Sequence, residues 1–168
     1  MNIFILDRNI RTCARYHADR HVVKMILESA QILCTIVSRE GLESSYRPTH
    51  RNHPCVLWAG RSRENWLWLK ELTLRLNDEY RYRFGRSDDH SSAVVVRDLE
   101  CPSLPGGGLT EFVQAMPEQY RVPGDAVSAY RAYYVGEKSE IARWTRRRIP
   151  RWYREALART EKKRGVTG

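Results

Sequence analysis

YHADRHVVKMILESAQILCT, residues 16–35, reads as a helix that is apolar on nearly every side. Val22, Val23, Met25, Ile26, Leu27, Ala30, Ile32, Leu33 and Cys34 give it the composition of a buried core helix. One polar seam interrupts that surface: His17, His21, Lys24, Glu28, Gln31 and Thr35 step by four and three and so stack on a single face. Taking an imidazole, an ammonium and a carboxylate out of water is costly unless they pair or line a cleft that uses them. The stretch therefore predicts a helical core, with the seam as the floor of an active site.

Outward from this stretch, the helix is expected to run from Thr12, a candidate N-cap, to Arg39 before Gly41. A polar loop follows over 43–53. A second helix opens at Pro54, where proline suits the first turn, with a candidate interruption at Gly60 and an end near Phe84 and Gly85. Residues 86–108 lose the helical period and end in a glycine triplet. They read as a long central loop or lid with one short extended piece at Val94–Val96. A helical turn is expected over Thr110–Ala115, then a helix capped by Asp125 that carries Tyr130, Tyr134, Ile141 and Trp144, and a last basic helix from Pro150. The sum is an all-α fold: one compact helical nucleic-acid-processing domain over residues 1–168.

The 168 residues carry 29 Lys and Arg against 20 Asp and Glu, a net charge of +9 that invites a polyanionic partner. Much of that charge is arginine beside an aromatic side chain, as in Arg81-Tyr82-Arg83, Trp144 before Arg146-Arg147-Arg148, and Arg151-Trp152. Guanidinium forks fit phosphates and aromatic rings fit bases, which suits a nucleic acid better than a membrane surface. No stretch is expected to approach the length of a spanning helix, and the first residues lack a basic segment followed by an apolar one. The expectation is a cytoplasmic monomer, associated with the nucleoid by charge, that acts on duplex DNA in preference to single strands. Cys13, Cys34, Cys55 and Cys101 lack CxxC spacing and read as reduced core thiols.

His21, Lys24 and Glu28 form an arrangement suited to amine chemistry, the lysine as nucleophile and the carboxylate as proton carrier. The same spacing also makes Lys24 and Glu28 an ordinary i, i+4 salt bridge. A metal site can be drawn from His17, His21, His50, His53 and Glu28, but Arg51 and Lys24 place positive charge beside it. The residues are therefore read without metal or cofactor, with His50 and His53 as phosphate or base contacts.

The run Ala18-Asp19-Arg20-His21-Val22-Val23-Lys24-Met25-Ile26-Leu27-Glu28 resembles the signature helix of the phage T4 endonuclease V family, the pyrimidine-dimer DNA glycosylases. The terminal Pro150-Arg151-Trp152-Tyr153 resembles that family's Pro-x-Trp-Tyr segment. The resemblance implies an all-α, metal-independent DNA glycosylase with AP-lyase activity, in which an α-amine attacks C1′ of a damaged nucleotide and the resulting imine leads to strand cleavage. It also implies Glu28 as the catalytic carboxylate, with His21 in the same site. This chain departs from the pattern in having Leu27 where the family has an arginine and a longer stretch before His21. Asn2 is bulky enough for Met1 to be retained, which makes the Met1 amine one candidate nucleophile and Lys24 the other. As a class, α-amines hold their proton about 2.5 pH units less tightly than lysine side chains. Contacts to DNA are assigned to His17, Arg20, Arg47, His50, Arg51, Asn52, His53, Arg146, Arg147, Arg148 and Arg151. Two other readings stand beside this one: a metal-dependent nuclease or phosphotransfer enzyme built on the His/Glu cluster, and a non-catalytic nucleic-acid-binding protein.

Overall fold

A computed structural model describes residues 1–165 as an all-α domain of seven helices, with no strands among the described residues. The helices are α1 (Ile10–Tyr16), α2 (Asp19–Arg39), α3 (Pro54–Ala59), α4 (Arg63–Phe84), α5 (Ser91–Asp98), α6 (Ala126–Glu137) and α7 (Arg151–Gly165). Two single 3₁₀ turns lie at Glu118–Tyr120 and Ser139–Ile141. Helices α2 and α4 form the central pair; α3 and α5 pack on both of them, α1 packs on α4, and α6 packs with α7.

The long helix expected from Thr12 to Arg39 is two helices. Asn9, not Thr12, caps the first by accepting from the Thr12 N–H, and the chain turns extended at His17 and Ala18 before α2 begins. The cause lies far along the sequence. Arg83, fully buried on α4, donates to the carbonyls of Arg15 and His17, groups the end of α1 would otherwise leave open, and to the Asp19 carboxylate in the first turn of α2. Glu79 balances that guanidinium at 2.9 Å, so the buried cation is paired and its donors are used. Asp19 also accepts from the amide and hydroxyl of Thr145.

Residues Ile3–Leu6 have no regular secondary structure and are buried in the core. Phe4 stacks on His21 with ring centroids 4.4 Å apart and meets Tyr130 and Tyr134 edge-on. Arg131 donates to the Leu6 carbonyl and pairs with Asp7, so the start of the chain is clamped between α2 and α6.

Four further expectations are corrected. The segment 86–108 is not a free loop or lid: α5 sits inside it, capped by the His90 side chain, with Ala93 and Val96 buried against α2 and α4. Residues 110–115 form no helical turn, and α6 ends at Glu137, leaving Ile141 and Trp144 outside it. Helix α2 is also long and apolar enough, by length and composition, to cross a membrane. However, 72% of its apolar window is buried within the domain, where it serves as the core helix. The break at Gly60 and the left-handed turn at Gly85 (φ 60°), which ends α4, fall where the sequence places them.

Candidate active site

Glu28 lies midway along α2 at the edge between buried and solvent-facing surface, 9% exposed. Three nitrogen groups converge on its carboxylate. The α-amine of Met1 stands 3.7 Å from Oε2, the backbone N–H of Asn2 donates to the same oxygen at 2.9 Å, and Lys24 Nζ lies 3.3 Å from Oε1. The Met1 side chain is only 3% exposed although the residue as a whole is not buried, so its exposed area is largely main chain. The Lys24 side chain is 60% exposed. One nitrogen is thus fixed by the fold and the other is solvated.

Asn2 does the fixing. Its Nδ2 donates to the Ala115 carbonyl at 2.9 Å, and its Oδ1 accepts from the Tyr130 hydroxyl at 2.9 Å and from the Ile3 N–H at 2.8 Å. Tyr130 is buried, and its hydroxyl also accepts from the Ala115 N–H. The second residue is therefore tied to α6 and to the 110–117 segment while its amide faces Glu28. Sequence reasoning missed Asn2 and Tyr130, because the bonds join residues more than a hundred positions apart.

His21 shares the α2 face but makes no hydrogen bond to Glu28. The Tyr134 hydroxyl accepts from the Ala18 N–H and lies 2.5 Å from His21 Nδ1; donating there leaves Nε2–H as the His21 tautomer. Burial, reinforced by the charges of Lys138, Lys24 and Arg20, lowers the His21 pKa to about 3, so the ring is neutral near pH 7. His17 is corrected outright as a DNA contact. It is completely buried at the end of α1, with Nδ1 on the Cys13 carbonyl, and burial lowers its pKa to about 4.

The loop before α3 brings its last residue to the site. His53 caps α3 by accepting from the Cys55 N–H. Its pKa is lowered by burial and then by the positive charge of the chain's first amine, while Glu28 opposes the shift. Cys55, beneath Asn2, is not a rival nucleophile, since burial pushes its thiol up to about 12. Arg47, His50, Arg51 and Asn52 stand exposed on this loop, as does Arg20 one turn before Lys24. His50 holds a left-handed backbone (φ 48°), and Thr49 is pinned to Thr35 of α2 through its N–H. Thr35, the far end of the seam, is thus a loop anchor.

The terminal arginines divide. Arg148 and Arg151 are exposed, with Arg151 paired to Glu155. Arg146 donates to the Tyr82 carbonyl at the end of α4. Arg147 is held by Glu79 through two bonds of 2.7 and 2.9 Å.

Among the described residues, no group of three or more His, Cys, Asp or Glu side chains is arranged to hold a metal ion. The His/Glu cluster drawn from the sequence does not assemble among them: His17 is sealed in the core and His21 is engaged by Tyr134. A 460 Å³ cleft lined by Arg8, Glu111, Phe112 and Val127 includes none of the residues around Glu28. No protein-family model matches the chain, and neither a curated protein nor a solved structure matches it.

Proposed function

We propose that the protein is a metal-independent DNA glycosylase with AP-lyase activity, acting on a damaged or modified base through an amine–sugar imine. The observation that carries this reading is the α-amine of Met1 held 3.7 Å from the Glu28 carboxylate, with the Asn2 amide on the same oxygen. In the proposed reaction the neutral Met1 amine forms a bond to C1′, and the glycosidic C1′–N bond breaks. The base leaves with the electron pair and takes up a proton. Sugar-ring opening then gives an iminium, and loss of a C2′ proton expels the 3′-phosphate. Glu28 is the group placed to take the amine's proton and to face the positive charge that develops at C1′.

Met1 is preferred to Lys24 because the fold fixes its position, and a fixed nucleophile has less orientational freedom to lose on the way to attack. The net charge of +9 and the exposed cations Arg20, Arg47, Arg51 and Arg148 support a polyanionic substrate.

Borohydride reduction of the protein with an abasic duplex tests the reading. Wild type is expected to give a covalent adduct whose peptide map places the sugar on residue 1. Lys24→Ala should still trap, and acetylation of the first amine should abolish trapping. No adduct with wild type removes the imine mechanism and leaves the non-catalytic binder; an adduct on Lys24 moves the nucleophile there.

Asn2→Ala loosens the amine without touching the carboxylate. The rate of single-turnover trapping is expected to fall roughly 10- to 100-fold, with duplex affinity unchanged. A parallel fall in affinity would mark Asn2 as a binding residue instead.

A further inference from the structure

On the surface between α1 and α4 lies a cleft of about 260 Å³ whose cationic lining is Arg11, Arg15, Arg75 and Arg147. Its two carboxylates are already engaged: Asp78 by Arg75 at 3.3 Å, and Glu79 by Arg83 and Arg147. Arg75 is held by Glu71 as well. Arg11 and Arg15, four apart on α1 and therefore neighbours on one face, have no ion pair among the described residues.

The opposite wall is preorganised. Glu79 occupies Nε and Nη2 of Arg147, and the guanidinium lies over the Tyr82 ring at 4.2 Å, leaving its third nitrogen without a hydrogen-bond partner among the described residues. Arg146, next in the chain, holds a left-handed backbone (φ 56°), with its guanidinium on the Tyr82 carbonyl. An arginine whose conformation is already set loses little entropy when its remaining donors take a second anion, and the open guanidinium forks of Arg11 and Arg15 fit phosphate oxygens.

We infer that this cleft binds a phosphodiester of the nucleic-acid backbone, with Arg11 and Arg15 as the gripping pair and Arg147 as the fixed wall. The inference rests on the proposed function only for the identity of the polymer, since the geometry by itself asks for a phosphate. None of the residues around Glu28 lines the cleft, so it is a second point of attachment. Its role is to set where along the strand the amine is presented, without taking part in the chemistry.

Binding of a short undamaged labelled duplex, followed by fluorescence anisotropy across a salt series, tests this for wild type, for Arg11→Ala/Arg15→Ala and for a charge-matched control, Arg61→Ala/Arg63→Ala. The control positions are exposed and lie outside the cleft. Removing two phosphate contacts should reduce the slope of log K against log salt by about 1.8. The control should change it by less than half as much. Equal shifts in the two double variants would mean that only bulk charge matters and would overturn the site. The site as assigned would also fall if inorganic phosphate stabilised wild type but not the α1 variant while duplex binding stayed equal, since the ligand would then be a free anion. If wild type fails to trap an abasic duplex but the slope still falls in the α1 variant alone, the cleft stands and the glycosylase reading is what fails.

Discussion

Glu28→Gln is expected to lower single-turnover cleavage of an abasic or modified-base duplex by roughly 10²- to 10⁴-fold while leaving duplex affinity within a few-fold of wild type. The amide keeps the size and an accepting oxygen, so the Asn2 N–H can still be satisfied and the start of the chain stays docked. What is lost is the negative charge facing the amine and, in the proposed reaction, the sugar, and with it the capacity to take and return a proton. A split of this kind, chemistry lost and binding kept, is the signature of an interaction made in the transition state. Glu28→Ala is a poorer test, because it also leaves the part-buried Asn2 N–H without its acceptor. Near-wild-type turnover in Glu28→Gln, in a protein whose unfolding transition is unchanged, would show that the carboxylate only neutralises its two amines. A loss of affinity as large as the loss of rate would instead make it a substrate-binding group.

Much of the frame around this carboxylate was legible in local pattern. The apolar surround of α2, proline at the start of α3, the break at Gly60 and the left-handed Gly85 are all set by residues within a turn or two of where they act. The break at His17 was not. It depends on Arg83, which lies 66 to 68 positions from the carbonyls it satisfies. Helix α5 was hidden for a different reason: Val94, Val95 and Val96 are β-branched and favour extended structure, and the helix forms because His90 caps it and its apolar side packs on α2 and α4. At the site, the spacing of Lys24 and Glu28 indicated their contact, whereas the amine of Met1 reaches Glu28 only because Phe4 and Asn2 are held by α6. No periodicity within a single helix reports such a meeting. Arg147, expected at a phosphate, is also anchored to Glu79, which no local pattern indicated, and Arg11 and Arg15, without an ion pair among the described residues, were overlooked on a short helix.

Acid should unfold this domain early, and the two imidazoles of the expected seam are the reason. Burial lowers His17 to about 4 and His21 to about 3, from an ordinary value of 6.5. A folded-state pKa below the unfolded one means that the unfolded chain takes up protons the native state refuses. The contribution is therefore complete above pH 6.5 and drains as pH falls toward 4 for His17 and toward 3 for His21. Between pH 7 and pH 5 each ring accounts for about 2 kcal/mol, a loss of about 4 kcal/mol against a typical domain stability of about 5–15 kcal/mol. The surroundings all act in one sense on His21, where Phe4 and Tyr134 bury the ring while Arg20, Lys24 and Lys138 repel a proton. For His17 the Cys13 carbonyl and Glu79 oppose the shift, Arg83 favours it, and burial decides. His53 and His90 are lowered as well and pull in the same direction, whereas the lowered carboxylates Glu79, Asp89, Asp125 and Glu155 titrate below this range. Urea unfolding at pH 7 and pH 5 measures the difference directly. His17→Asn, whose amide can still donate to the Cys13 carbonyl, should recover about half of the pH-dependent loss even if it lowers stability at pH 7. Equal stability at the two pH values in wild type would mean that water reaches these rings, and that α2 is not sealed against the first six residues as the fold requires.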